Sequence, residues 1–352
     1  MLTVDEQYMH RCLDLALKGV GLVAPNPMVG AVLVHDNRII GEGWHEYYGG
    51  PHAEVNCIKD AIQRGNEHLF TRATLYVSLE PCAHQGKTPP CDQLIIQHKI
   101  PKVVIGCRDP FHQVNGKGIE HLQENGIEVR LGVLQKEAEN INKRFFCQHT
   151  QHRPYIILKW AQTADGYIGT GTSERLRISS EMANKLVHRW RSEESAIMVG
   201  SRTVMLDNPY LTNRSGMGPQ PVRVVLDRKL SLKKDFHLFD GTVKTIILNE
   251  IKNEEGLLIY SKLDPYHNLP DAVSAALLKN KIQSVLIEGG AQILSFFLQS
   301  GCWDESRVIT NSKMKVGKGV PAPVLLNATL HKEDHFGDDI ISYFYNYKNQ
   351  TN

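Results

Sequence analysis

The sequence predicts two consecutive α/β domains, and three observations carry that reading. Apolar runs of strand length alternate with stretches of helical period along most of the chain. One helical stretch, KEAENINKRFFCQH, gives way to a new strand after Pro154, and the motifs on its two sides differ. At 352 residues the chain is long enough to bury a core in each half. The boundary is placed near residue 148, giving domains 1–147 and 148–352.

In the first domain, Thr3 and Glu6 form a capping-box signature that opens a helix through about Lys18. MVGAVLVHD is a mostly apolar run suited to a buried strand. HAEVNCIKDAIQRG reads as a helix ending at Gly65, and ATLYVSLEPC as a strand. KVVIGCRDP and IEVRLGVL supply further strands around one sheet. In the second domain HRPYIILKWA, SAIMVGSRTV, PVRVVLDRK, KTIILN and SVLIEGG are strand-like. SEMANKLVHRWRSE and DAVSAALLKN are helix-like. The tail from His331 is polar, and DIISYFYNY fits an edge strand.

Composition narrows the function classes. Lys+Arg is 40 and Asp+Glu is 38, so the net charge of +2 gives no support to a nucleic-acid-binding surface. A local basic patch for a small phosphate is compatible with it. The opening MLTVDEQYMH is polar and acidic, unlike a secretory leader. No apolar run approaches the roughly 18 residues of a membrane span. These features point to the cytoplasm, where thiols stay reduced, and the seven cysteines are an odd number.

That context bears on PCAHQGKTPPC, residues 81–91. Cys82 and Cys91 can be read as metal ligands, a disulfide or unrelated thiols, and a reducing compartment disfavours the disulfide. Upstream lies PHAEV, with His52 and Glu54. A catalytic zinc takes three protein ligands and keeps one position for water, and His52, Cys82 and Cys91 make such a set. Each sits where a loop or strand end passes into a helix, and the positive end of a helix favours thiolates. Two thiolates acidify a water less than three imidazoles would, so a nearby base is useful, and Glu54 is the candidate. It would take a proton from the attacking water and deliver it to a leaving amine, which is hydrolytic deamination. Alone, Glu54 reads as a solvated helix residue, His52 as a helix cap and Cys82 as a small buried apolar residue. Cys12, Cys57, Cys107, Cys147 and Cys302 fit no ligand spacing.

HAE followed by PC resembles the zinc nucleoside and nucleobase deaminase superfamily, whose usual signature has two residues between the cysteines. Here there are eight, and the longer PCxHxGxTPPC resembles the deaminase half of the bifunctional riboflavin-biosynthesis deaminase/reductase family. APNPMVGAVLV and GEGWHEYYGGPHAE agree with that likeness. The resemblance implies a cytidine-deaminase-like α/β/α domain. It implies that Asn26 and His45 hold a pyrimidine. The inserted residues become a wall carrying His84, Lys87 and Thr88, whose cationic and hydroxyl groups suit a phosphorylated ribosylaminopyrimidine. Alone, Asn26 reads as a turn residue.

In the second domain, SVLIEGGAQILSFFL is a buried strand, two glycines and a helix. Gly289 and Gly290 permit a ligand's close approach, and a helix N-terminus can hold phosphate. It is not GxGxxG, and a tight turn is the plain alternative. With LKWAQTADG, SRTVMLDNPYLTNR and PVRVVLDR, this segment resembles the reductase half of the same family. That likeness implies a dihydrofolate-reductase-like fold using NADPH. Ala161, Thr203 and Asp207 match nicotinamide-cofactor positions, as does the stretch Gly290, Ala291, Gln292, Ile293, Leu294, Ser295 and Phe296. Arg191, Leu211, Arg214 and Glu288 match substrate positions, and Lys159 is placed facing the reacting region. The two arginines suit a ribose phosphate. Residues 172–178 depart from the family, which often has Trp before Ile-Ser where this chain has Arg177.

The expected protein is a two-domain enzyme that deaminates 2,5-diamino-6-ribosylamino-4(3H)-pyrimidinone 5′-phosphate with Zn2+ and then reduces the ribosyl chain with NADPH. These folds commonly associate as dimers or tetramers. One rival is a nucleoside- or tRNA-editing deaminase with an accessory domain, which predicts a basic surface and short cysteine spacing. The other is a zinc-stabilised structural protein, which predicts a fourth protein ligand and no need for Glu54.

Overall fold

The computed structural model describes residues 2–83, 90–172 and 176–349. The chain forms two compact units, Met1–His152 and Arg153–Asn352. The first has strands β1 (Gly30–His35), β2 (Arg38–Trp44), β3 (Thr74–Leu79), β4 (Lys102–Cys107) and β5 (Glu128–Leu131). Its helices are α1 (Val4–Ala16), α2 (Ala53–Gln63), α3 (Cys91–Gln97), α4 (Lys117–Glu124), α5 (Gln135–Ile141) and α6 (Lys143–Gln151).

The five strands form one sheet in the order β2-β1-β3-β4-β5, antiparallel across β1 and parallel from β3 to β5. Thr3 caps α1 as predicted: its hydroxyl accepts from the Glu6 amide at 3.3 Å, and Glu6 accepts the Thr3 N–H at 2.7 Å. One apolar layer packs α2 and α3 on the sheet through Ala53, Cys57, Ile58 and Ile95. Met9, Cys12 and Leu15 of α1 cover the opposite face. Strand β2, RIIGEGW, has little strand propensity and was not expected. Its glycines are needed by α2: a Cβ on Gly43 would stand 2.4 Å from Cys57 N, and one on Gly41 2.6 Å from Cys57 O. Their absence of side chain draws the start of α2, with His52 and Glu54, onto the sheet.

The single helix read over KEAENINKRFFCQH is two, broken at Asn142. The Asn142 amide leaves the helical path to bracket Met28, accepting its N–H at 2.8 Å and donating to its carbonyl at 2.9 Å. The division placed at 147/148 falls inside α6, and the two compact units part at 152/153.

The second unit has strands β6 (Tyr155–Thr163), β7 (Tyr167–Gly169), β8 (Ala196–Gly200), β9 (Val222–Leu226), β10 (Thr245–Asn249) and β11 (Leu258–Lys262). They are followed by β12 (Ser284–Ile287), β13 (Glu305–Asn311), β14 (Val320–Pro321), β15 (Ala328–Phe336) and β16 (Asp339–Asn346). Its helices are α7 (Glu181–Glu193), α8 (Ser201–Asp207), α9 (Leu269–Lys279) and α10 (Ala291–Ser300). Nine strands run in the order β11-β10-β9-β8-β12-β6-β13-β16-β15, with β7 and β14 in a separate ribbon. Pairings from β11 to β13 are parallel, and the terminal hairpin β15–β16 is antiparallel. The winding from β8 to β11 moves to one edge, and β12 returns beside β8 and β6. Ligands of such sheets lie outside the strand carboxyl ends at that reversal.

Two sequence readings are corrected. SAIMVGSRTV is a strand only to Gly200, because the segment from Ser201 turns into α8. DIISYFYNY is β16, an inner strand, and the edge is β15, whose outward-facing polar residues hide the strand pattern. Among the described residues no helix is long and apolar enough to cross a membrane.

Candidate functional site

In the first unit the sheet's carboxyl ends and two helix starts converge. His52 precedes α2 in extended conformation and makes no side-chain cap bond. Its imidazole turns instead to the thiols: Nδ1 lies 3.5 Å from Cys82 Sγ and 3.3 Å from Cys91 Sγ. Cys82 follows β3 and Cys91 opens α3, and both are free thiols. The ligand atoms of the three residues all lie within 4.8 Å of one another.

This donor set fits zinc. Around a tetrahedral ion with Zn–S about 2.3 Å and Zn–N about 2.0 Å, the sulfur-to-nitrogen edge comes to roughly 3.5 Å. The observed 3.3 and 3.5 Å match that edge. The Cys91 thiol hydrogen-bonds Cys82, and the Cys91 N–H donates to the Cys82 sulfur at 3.4 Å. These bonds, with the His52 ring, hold Cys82 well below the ordinary thiol range.

Glu54, in the first turn of α2, is only 3% exposed, so it is not a solvated helix residue. Burial pushes its carboxyl up to about 7, against the pull of His52. A carboxyl near neutrality can take and return a proton. His45 is buried too, its ring edge-on to that of His52 at 5.5 Å between centroids. Its Nδ1 lies 2.9 Å from the Pro51 carbonyl, which must accept, so that nitrogen carries the proton. Nε2 therefore accepts from Asn26 Nδ2 at 3.0 Å. The structure thus brings Asn26 and His45 together in one hydrogen-bonded chain. His84, Lys87 and Thr88 lie outside the described residues.

In the second unit a cleft of about 1680 Å³ opens where β12 returns to the middle of the sheet. Ligand sites typically occupy about 300–1,000 Å³, so this one has room for two ligands side by side. Lys159, Ala161, Thr203, Asp207 and Gly290 all line it, as do Arg191, Arg214 and Glu288. Gly290, in extended conformation, starts α10, and its N–H donates to Thr203 Oγ1 at 3.2 Å. Ala291, Gln292, Ile293 and Phe296 also face the cleft. Leu294 does not: the helical period turns it into the core beside Phe297. Ser295 lines a separate cavity of about 210 Å³. Leu211 is likewise buried, against Val204 and Ile197. Thr172 and Arg177, within the divergent segment, line the cleft.

Arg191 is committed differently from expectation. Its Nε and Nη2 donate to the Glu288 carboxylate at 2.9 and 2.7 Å, and Nη1 donates to the Thr212 carbonyl at 3.1 Å. With three of five donors engaged, it serves Glu288 before any phosphate. Burial alone would raise the Glu288 carboxyl, but Arg191 and Lys159 outweigh it and hold it at about 2. Arg214 is exposed at the cleft, with its N–H directed to His188 Nδ1 at 3.2 Å. His188 also lines the cleft, and helix-period sequence gave no signal for it.

The Glu288 pair makes stability depend on pH. Its folded pKa is depressed, so the contribution is full above the unfolded value of 4.5 and is lost as pH falls toward about 2. The expected loss is about 3 kcal/mol across that window. Glu288→Gln should flatten the acid limb of the second unit's stability, measured by denaturant unfolding between those pH values. An unchanged limb would refute the assignment.

A family model described as the cytidine and deoxycytidylate deaminase zinc-binding region matches residues 2–107. Another, described as the RibD C-terminal domain, matches residues 154–333. The riboflavin biosynthesis protein RibD of Aquifex aeolicus is 37% identical over 98% of this chain and 99% of its own. That of Bacillus amyloliquefaciens is 38% identical over 93% and 86%. The crystal structure of a Thermotoga maritima diaminohydroxyphosphoribosylaminopyrimidine deaminase/5-amino-6-(5-phosphoribosylamino)uracil reductase superposes with a TM-score of 0.89. It is 37% identical and covers 97% of this chain and 99% of that one.

Proposed function

This chain belongs to the RibD family of bifunctional riboflavin-biosynthesis enzymes, a zinc-binding deaminase domain followed by a reductase domain, and from that premise we propose what its residues do. The first site hydrolyses the ring 2-amino group of 2,5-diamino-6-ribosylamino-4(3H)-pyrimidinone 5′-phosphate. The second reduces the ribosyl chain of the product to ribityl. The observation that carries the reading is the convergence of His52, Cys82 and Cys91 beside a buried Glu54.

His52, Cys82 and Cys91 would hold zinc, which when bound supplies a Lewis acid that eases loss of a proton from water. Glu54 takes that proton and returns it to the amino nitrogen as it leaves. Asn26 and His45, locked by the Pro51 carbonyl, hold the pyrimidine edge. In the second site NADPH, when bound, supplies a hydride. Lys159 and the Arg191–Glu288 pair form the polar floor of the cleft, and Arg214 and His188 offer cationic and imidazole contacts for the ribose phosphate.

The direct test incubates the purified protein with the diaminopyrimidine phosphate, with and without NADPH, and reads products by mass. Without NADPH an amino-to-oxo exchange should appear, and with it a further gain of two hydrogens. Absence of the first change overturns the deaminase assignment, and absence of the second the reductase one.

The cofactor site has its own test at Gly290. Its φ is −65°, so it does not need glycine's left-handed freedom, and a Cβ there would meet only Thr203 Oγ1, at 3.5 Å. Gly289 is the packed one, with Ile293 Cγ2 2.0 Å from such a Cβ. Gly290→Val should therefore fold with nearly unchanged melting temperature yet bind NADPH at least roughly tenfold more weakly, because backbone approach at the helix start is blocked. Deamination should be normal, and the ribosyl intermediate should accumulate. A folded variant with wild-type NADPH affinity, by titration, refutes the role.

A further inference from the structure

Two buried acids adjoin the thiols without taking part in the chemistry above. Glu80, two residues before Cys82, is 3% exposed, and Asp92, next to Cys91, is 1% exposed. Glu80 accepts backbone N–H groups from Asp109 at 3.2 Å, Gly116 at 2.9 Å, Gly118 at 3.1 Å and Ile119 at 3.4 Å. Three of these surround the start of α4, whose positive end favours a carboxylate. The fit is tight: a Cβ on Gly118 would stand 2.1 Å from the Pro81 carbonyl. Asp92 reaches the same helix from the other side, with Oδ2 2.7 Å from His121 Nδ1. The Asp92 N–H meanwhile donates to the Cys82 carbonyl at 3.3 Å.

We propose that Glu80 and Asp92 are positioning residues, which anchor the segments bearing Cys82 and Cys91 to α4 and so preset the spacing of the two sulfurs for the metal. Neither touches the reacting atoms. Four inward-pointing N–H groups demand an acceptor with several lone pairs, which a carboxylate supplies and an amide does not. A cap for α4 alone would need no link to Cys82. Here the acid sits on the same short stretch as the ligand, and Pro81 between them abuts Gly118.

The proposal rests on the zinc reading, and a Co2+ titration of the metal-stripped full chain separates the two. Cobalt's ligand-field and thiolate charge-transfer bands report the ligand set and geometry. All variants are measured well below their melting temperatures, with chelator competition for affinity. Glu80→Gln should lower Co2+ affinity by roughly 10–100-fold and shift the thiolate bands. His121→Ala, which frees Asp92 from a half-exposed partner, should lower it less, in the same direction. Variants that melt lower but bind Co2+ with wild-type affinity and bands overturn the proposal and leave Glu80 as a helix cap. Should Glu80→Gln fail to fold, His121→Ala decides: weakened binding supports the proposal, and unchanged binding overturns it. A wild-type chain without thiolate bands overturns the zinc reading and this inference with it.

Discussion

Glu54→Gln should lower deamination by roughly 10²–10⁴-fold while zinc content and the second activity stay at wild-type levels. The amide keeps the size of the carboxyl but cannot accept a proton from water and pass it on. Glu54 is almost wholly buried in the first turn of α2, two residues from His52, so the group that is lost is a carboxyl held beside the metal ligands. An amide also removes a potential charge from the site, so the fold should not weaken. The measurement is turnover of the diaminopyrimidine phosphate beside metal analysis and reduction of pre-deaminated substrate. Wild-type deamination in this variant would rule out Glu54 as the base.

Cys82→Ser should have the other large effect, and it should differ in kind. A serine hydroxyl is a poor zinc ligand, and the remaining His52 and Cys91 make an incomplete set. Metal content should fall from about one per chain to a small fraction, and deamination by more than the roughly 10²-fold of losing a supporting residue. Metal binding is coupled to folding, so the first unit should also melt earlier. The loss should not be rescued by raising pH, which separates a missing ligand from a mis-set base. Full zinc occupancy in Cys82→Ser, by elemental analysis, would sink the ligand assignment.

What the sequence revealed was carried by local chemistry. The Thr3–Glu6 box, the HAE segment and the two cysteines each announce themselves within a few residues. The structure then brings His52, Cys82 and Cys91 together across 30 and 39 positions of chain. What stayed hidden depends on partners without a signature. Glu80 reads as the end of a strand, because its partners are backbone amides of a distant loop. Strand β2 is masked by glycines that serve α2, and β15 by the polar residues of an edge. Arg191 matches a substrate position by resemblance and its guanidinium suits a phosphate, while in the fold a carboxylate 97 positions away, Glu288, takes its fork. Leu294 and Leu211 match the family by position, while their side chains fill the core.

The placement of β6 has a consequence for how the chain emerges from the ribosome. The first unit completes every strand pairing by Leu131. The strand that opens the second unit pairs only with later segments: Tyr155 with Ser284 on one side, Ile157 with Glu305 on the other. Synthesis therefore delivers a first unit that can close at once and an apolar β6 that must wait for most of the remaining chain. Such non-local pairing favours slower folding of the second unit, and it leaves the apolar YIILKW segment without its strand neighbours until late in synthesis.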